Sequence, residues 1–431
     1  MGTSIELCIG SVSLSYSKNT MGRDYGFLFQ GSDINRRKSN QINYDYYEQN
    51  PDEIADLENA EEVFSRKLSQ VIPRLELLGF TLDTARNEYE DLVAEAIDID
   101  RYILEGSEEK PEYLSFEEFF NLACRYPIDS LKNDYIEYET PDRESISEGI
   151  YSKEIDLFRR IPTTDNSGMY WSEASYLSAK VCILSAESML QVFSQNPENS
   201  DVEVTWGFGA IVDSGWVERV DIVPGARRKQ KILIATEGAS DARIIQRTMN
   251  LFRPDVADFF NFVDGNERHH FWGTGNLVKF AEGLIRIDLI NQVIFVLDND
   301  AEGHDALRKL ESLKLPENMR ALVLPNLDSF QKFKTRGPEG IGVSNINGRA
   351  AAIECYLDLR LEQYPPPQVT WSNFKKDINA WHGSLDYKES YSKYFHDQTD
   401  EDLLNGNYDK SKLLVLIETL IHEAGFVKPV V

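Results

Sequence analysis

The chain has 431 residues, 42% hydrophobic and 11% aromatic, a composition that suits a folded globular protein of two to four domains. No apolar run approaches the roughly 18 residues that a membrane span needs, and the opening MGTSIELCIG lacks a basic n-region, so neither a span nor a secretory signal is expected. A formal net charge of −27 argues against broad, unaided binding to a polyanion, because non-specific nucleic-acid affinity comes from Lys and Arg neutralising phosphates.

Residues 1–50 read as β-rich: IELCIGSVSLSY, a turn at Lys18-Asn19, then YGFLFQ, as in a hairpin or small sheet. From 51 to about 134 the pattern turns helical. One helix is predicted over 58–78, with Val63, Leu68, Ile72 and Leu75 on its apolar side, and a second over 81–99 with Thr81 as N-cap. A third opens at Ser115, where Glu118 three residues later makes a capping box. The acidic stretch 135–152 reads as an exposed loop. A single strong helix over 172–193 is apolar around much of its circumference and so should be central to its domain. DVEVTWGF and GWVERVDIV return to strand character before RRKQK at 227–231, read as a solvated linker. Cys8, Cys124, Cys182 and Cys355 show no CxxC spacing and are expected to be reduced core thiols of a cytoplasmic protein.

The stretch 231–325 is the most informative. KILIATEGASD carries an apolar β-branched run, then Glu237, Gly238, Ser240 and Asp241; QVIFVLDNDAEGHDAL carries a second run, then Asp298, Asp300 and Gly303. Uninterrupted apolar runs of this length suit strands buried on both faces of a parallel sheet. Between them the pattern predicts a helix over 240–252 with Ser240 as N-cap, a strand FFNFV and a helix over 276–287; after them come a helix over 304–313 and a strand RALVLP. Short connections and repeated alternation predict a doubly wound parallel α/β sheet. Ligands of such sheets lie beyond the carboxyl ends of the strands, where Glu237 and Asp298 stand. Two like charges about 4 Å apart repel by roughly 4 kcal/mol at an effective dielectric near 20. Such a cluster is stable when it holds a divalent cation, and oxygen-only ligands favour Mg²⁺ or Mn²⁺.

Strand-Glu-Gly followed by strand-Asp-X-Asp resembles the Toprim domain shared by primases, topoisomerases and OLD-type nucleases. DNDAEGHDAL is similar to the primase-type second motif, EGASD to the nuclease-type first motif, and Gly273 and Gly275 of GTGNLVKF fall where that fold has a glycine after its second strand. MGTSIELCIG with MGRDYGFLFQ resembles the HEPN/Toprim-associated N-terminal module, which precedes a HEPN ribonuclease or a Toprim domain in bacterial conflict systems. A HEPN nuclease site needs an Arg-X4-6-His motif, and no histidine precedes His269.

The resemblance implies a Mg²⁺- or Mn²⁺-dependent nuclease acting on DNA or RNA, with Asp298 and Asp300 as metal ligands, Glu237 as ligand or general base, and Asp241 completing a second metal position. It also implies Glu354, in NGRAAAIECYLDL, as a further ligand, and Lys388 as a cation for the reacting phosphate; a helix is predicted over 349–361. For Glu354 a solvated helix face is the bland alternative, for Lys388 simple packing, and His382 reads as a surface histidine. With no GxxxxGK[ST] loop, ATP hydrolysis would fall to a partner chain; a homo-oligomer or an ATPase partner is expected, and no membrane. The expected organisation is an α+β, largely helical domain over 1–228, the Toprim sheet over 229–326 and a helical C-terminal extension over 327–431. The alternative function is a non-catalytic Toprim scaffold that binds or senses through a partner chain.

Overall fold

The computed structural model describes residues 2–103, 112–137, 146, 149–162, 170–263, 273–375 and 380–428. Helices and several sheets share the chain, which divides into the units Met1–Ala226 and Arg227–Val431.

The first unit is built on an antiparallel sheet of β1 (Ser4–Ile9), β2 (Val12–Lys18), β3 (Ile34–Arg36), β4 (Glu62–Lys67) and β5 (Glu203–Gly207), in the order β2-β1-β5-β4-β3. Strand alternation sends Ile5, Leu7 and Ile9 of β1, with Val204 and Trp206 of β5, into one apolar core, and turns Ser4, Glu6 and Cys8 to the other face. Aromatic rings fill that core: Phe64 lies 5.6 Å from Phe29, 6.2 Å from Trp206 and 4.8 Å from Phe208. The helices Leu68–Leu77, Leu82–Ile103, Phe116–Ala123 and Ala186–Phe193 bury their apolar sides in the same cluster.

Several predicted boundaries move. The hairpin turns at Gly10-Ser11, between β1 and β2, where Gly10 has φ of +52°, not at Lys18-Asn19. YGFLFQ is no strand: Gly26–Leu28 is a 3₁₀ turn, pinned by fully buried Arg74, which donates to the carbonyls of Phe27 (2.9 Å) and Phe29 (3.2 Å). The helix predicted over 58–78 is a helix Ile54–Ala60, then β4, then the helix Leu68–Leu77. Long-range pairing of Val63 and Phe64 with Gly207 and Trp206 overrides the local helical signal. The helix predicted over 172–193 breaks into Glu173–Val181 and Ala186–Phe193, the second opened by its own cap, Ser185, which accepts the Ser188 N–H at 3.3 Å. GWVERVDIV forms a 3₁₀ turn at Arg219–Asp221 in place of a strand. The capping box at Ser115 and Glu118 forms. Of the predicted loop over 135–152, residues 138–145, 147 and 148 lie outside the described residues; Ile146 and Tyr151 are core residues, not exposed ones.

The second unit holds a four-stranded parallel sheet of β6 (Ile232–Thr236), β7 (Phe260–Phe262), β8 (Gln292–Leu297) and β10 (Met319–Val323), in the order β10-β8-β6-β7. All six residues of β8 are buried, as the uninterrupted apolar run 293–297 after Gln292 requires. The helices Ala239–Phe252, Thr274–Arg286 and Ala301–Ser312 connect these strands. From β6 the chain steps outward to β7, and from β8 it steps the opposite way to β10. The switch point therefore falls between β6 and β8.

Beyond β10 the chain is not simply helical. Strands β11 (Phe333–Gly337), β12 (Gly340–Ser344), β14 (Val369–Lys375) and β15 (Ala380–Leu385) form a sheet in the order β12-β11-β14-β15, ahead of the helices Lys388–Asp397, Asp400–Asn405 and Ser411–Ala424. In place of the helix predicted over 349–361 stand β13 (Ala350–Ala351) and a 3₁₀ turn, Ile353–Tyr356. The reason is again long-range: Ala350 and Ala351 pair with Asp300 and Asn299 of the short strand β9 (Asn299–Asp300).

The four cysteines are free, and burial pushes the Cys124 thiol up to about 11 and the Cys8 thiol to about 12. Among the described residues no helix is long and apolar enough to cross a membrane.

Expressed alone, Met1–Ala226 is expected to unfold in one cooperative transition, because its sheet and helices close a single hydrophobic cluster. Thermal melts followed by circular dichroism check this, and a broad, featureless melt would show that the cluster is incomplete. In the same fragment Phe64→Ala should cost roughly 3–5 kcal/mol.

Candidate active site

Parallel pairing sets Thr236, the last residue of β6, opposite Val296 of β8, so the residues that follow these strands emerge side by side. They are Glu237 and Asp298. The Asp298 backbone N–H donates to Glu237 Oε1 at 3.0 Å, tying the two strand ends through a carboxylate.

One turn into the next helix, Asp241 reaches back, its Oδ2 accepting the Gly238 N–H at 3.0 Å. Gly238 is thus the N-cap, and the helix starts at Ala239; the predicted cap, Ser240, is an exposed residue inside the first turn. Asp300 caps the helix Ala301–Ser312, its Oδ1 accepting from Glu302 N (2.8 Å) and Gly303 N (2.7 Å). Gly303 is required for packing: a Cβ there would lie 2.0 Å from the Asp298 carbonyl oxygen. Asn299, fully buried, is the hub between the acids. Its amide donates to Asn326 (2.8 Å), and its Oδ1 accepts from Gly348 N (2.8 Å) and lies 3.0 Å from His304 Nε2.

Pairing of β13 with β9 brings the later chain to the same place. The Ile353 N–H donates to Asp298 Oδ1 at 2.9 Å, and Glu354 follows in the 3₁₀ turn. Glu354 is only 8% exposed, which removes the solvated-face alternative. Its charge bears on Asp241 and Asp298. Lys388 is exposed at the start of a helix, next to Tyr387 in the left-handed region (φ +60°), and its positive field acts on Asp241.

Two residues escaped the sequence reading. His382, on β15, is no plain surface histidine: its Nδ1 lies 3.7 Å from Asp300 Oδ2, buried and without a hydrogen-bond partner. Nothing local in WHGSL signals this, since the contact depends on how β15 pairs with β14. Glu302, also passed over, adds negative charge to Glu237 and Asp300.

The electrostatics separate two uses of an aspartate. An N-cap carboxylate that accepts backbone N–H bonds ordinarily has its pKa lowered. Asp300 accepts two such bonds, yet burial holds its carboxyl above the usual range. Burial first, then the charges of Asp300, Asp241 and Glu302, push Glu237 up to about 8. Burial and Glu354 push Asp241 up to about 7. Asp298 is driven up most clearly, by burial and by Asp241, Glu237, Asp300 and Glu354 together.

Among the described residues no three His, Cys, Asp or Glu side chains stand as a ready-made metal cage. The donor set still fits one class of cation. It is made of oxygen alone, it repels itself, and Mg²⁺ is commonly held by one or two carboxylates with waters and substrate phosphates filling the remaining positions. Glu237, Asp298 and Asp300 meet through backbone bonds and shared electrostatics, Asp241 and Glu354 add their charges, and Lys388 acts as a cation on Asp241.

A raised carboxyl pKa means that the folded state holds protons which the unfolded chain has released. Stability from this source is therefore greatest below about 4.5, the usual value for Glu237, and is lost as pH rises toward about 8. In EDTA, the melting temperature of Glu237→Gln should accordingly gain on that of the native chain between those pH values. A constant offset across the range would show that Glu237 keeps an ordinary pKa. Gly303→Ala should destabilise by roughly 1–3 kcal/mol through overpacking against Asp298, read from denaturant melts.

Residues 1–230 match the family described as HEPN/Toprim N-terminal domain 1. Comparison with curated proteins and with solved structures gave no match.

Proposed function

The chain belongs to the HEPN/Toprim N-terminal domain 1 family, and from that premise we propose that its second unit is a nuclease-like Toprim domain that hydrolyses phosphodiester bonds with Mg²⁺ or Mn²⁺. One observation carries the reading: Glu237 and Asp298 are joined at the switch point of a parallel sheet, and burial with neighbouring carboxylates holds both carboxyls above the usual range. Structural acids at strand ends and helix starts do not require such mutual repulsion.

In this proposal Asp298 and Asp300 hold the cation, with Asp241 and Glu354 at a second position. The bound ion would polarise a phosphoryl oxygen and lower the pKa of a coordinated water. Backbone N–H groups of Asp298, Ile353, Glu302 and Gly303 fix the carboxylate planes, so the ligands are oriented in advance. Glu237 would be the general base: its Oε1 is held by Asp298 N–H, its Oε2 would take the proton of the attacking water, and a bound cation would draw its raised carboxyl back toward the ionised form that a base needs. Lys388 supplies positive charge at the exposed rim, where a substrate phosphate would approach. DNA or RNA is the substrate class, and the family's pairing with HEPN and Toprim domains suggests a role in antiviral defence, acting as an oligomer or beside a partner ATPase.

A non-catalytic binding or sensor role is the second reading, favoured by the net charge of −27 and by the lack of a three-ligand cage among the described residues.

Cleavage assays on plasmid DNA and on structured RNA, with Mg²⁺ and with Mn²⁺, decide between them. Activity that falls by about 10²-fold or more in both Glu237→Gln and Asp298→Asn is expected; cutting at the native rate by either variant removes that residue from the mechanism. Independently of turnover, Mn²⁺ should raise the melting temperature, by about 2.7 kcal/mol of stability at a hundredfold excess over Kd. Asp300→Asn should lose most of that shift, and an undiminished shift would place the metal elsewhere.

A further inference from the structure

The sheet of the first unit has a face that its hydrophobic core does not use. Across it runs a cavity of about 620 Å³, within the range typical of small-molecule sites. Its floor follows from strand register. A bulge in the pairing of β1 with β2 sets Tyr16 opposite Glu6, Glu6 stands opposite Gly207 on β5, and Gly207 stands opposite Val63 on β4. The row thus reads Tyr16, Glu6, Gly207, Val63. At Gly207 the missing side chain leaves a hollow: a Cβ placed there would meet only Val63, at 4.0 Å.

The walls are polar and fixed. On one side the 37–41 segment is held by the Ser4 N–H donating to Gln41 Oε1 at 2.6 Å and by an Arg37–Glu203 ion pair, and it carries Lys38, an exposed residue whose Nζ lies 5.8 Å from the centre of the Tyr44 ring and would swing from it to meet a phosphate. On the other side the helix Glu173–Val181 is tied to β2 by Ser178 Oγ donating to the Ser13 carbonyl at 2.5 Å, and Trp171 stands just before it with its indole 47% exposed. Cys8, also in the lining, has its thiol pushed up to about 12 by burial, so covalent capture is not its role.

These features select a ligand. A shallow hollow beside exposed Tyr16 and Trp171 suits a flat ring, since stacking on aromatic side chains is worth roughly 1–3 kcal/mol per base. Glu6, at the edge of the hollow, offers two acceptor oxygens, and its partners inside the protein are weak: Ser4 Oγ at 3.2 Å and the Cys8 thiol at 3.9 Å. A carboxylate that accepts two parallel N–H bonds matches the ring N–H and amino group of guanine. Adenine, cytosine and uracil do not present that pair of donors. Glu6 would repel a phosphate lying on the floor, which directs it to the Lys38 end; Glu62, also in the lining, is paired with Arg219 at 2.9 Å. We propose that this face of the first unit binds a guanine nucleotide, with the base over Gly207 against Glu6 and the phosphate toward Lys38. The proposal stands apart from the nuclease reading, because every residue it uses lies in Met1–Ala226.

Isothermal titration calorimetry of the full chain in EDTA, with GMP, AMP, CMP and UMP, tests it; EDTA removes any metal-dependent binding at the acidic site. Saturable binding of GMP at least about tenfold tighter than of the other three is expected. Gly207→Val projects into the hollow, where a Cβ meets Val63 Cγ1 at 4.0 Å, and should abolish GMP binding; a melting temperature measured alongside separates this from a loss of fold. Glu6→Gln should erase the preference for GMP, and Lys38→Glu should weaken GMP by about tenfold but leave guanosine unchanged. No saturable binding of GMP up to about 1 mM overturns the proposal, as does GMP binding that Gly207→Val leaves intact.

Discussion

Burial and like charge oppose each other at the ends of β6 and β8, and the second unit is arranged around that conflict. Parallel pairing brings Glu237 and Asp298 together, and apolar strands keep water from screening them. Two ionised carboxylates about 4 Å apart would repel by roughly 4 kcal/mol at an effective dielectric near 20. The surrounding chain adds to the problem: β13 delivers buried Glu354, and the next helix contributes Glu302. Positive groups offset this only in part: exposed Lys388 acts on Asp241, and the Nδ1 of His382 stops 3.7 Å short of Asp300. Protons or a cation must fill the deficit. The raised carboxyl pKa values of Glu237 and Asp241 are the proton version of that answer.

The acids are held by a scaffold that uses them twice. Asp300 caps a helix and Asp241 closes the start of another, while Asn299 between the two motif aspartates gathers the loops at Asn326 and Gly348. Gly303 lets the capped helix lie against the Asp298 carbonyl. The same side chains therefore carry helix-start hydrogen bonds and bear an unfavourable burial, and the direction of the pKa shift tells which of the two prevails. An aspartate that served as a cap alone would sit below its usual range, and Asp300 sits above it.

What the sequence made legible follows the range of the interactions involved. The strands of the parallel sheet were readable because β8 is apolar on both faces, and that pattern is local. The places of Glu237, Asp298 and Asp300 at strand ends were readable from it. Glu354 came only through the family resemblance, because its approach depends on β13 pairing with β9 some fifty residues earlier. His382 was invisible for the same reason. Where the reading failed over 58–78 and 349–361, a helical pattern lost to strand pairing that no local window contains. At 172–193 a second capping serine, Ser185, divided what reads as one apolar helix.

The two sheets of this chain place their polar groups by opposite rules, and each rule is written in the strand sequence. In β6 and β8 the side chains are apolar on both faces, so polar groups can gather only where the strands end. In β1 apolar Ile5, Leu7 and Ile9 alternate with Ser4, Glu6 and Cys8, so one whole face of the antiparallel sheet is left for polar contacts. Period-one burial yields a site at an edge; period-two burial yields a site on a floor. The acidic cluster beyond β6 and β8 and the hollow at Gly207 are the respective outcomes, and a substitution that changed the period of either strand set would move those polar groups with it.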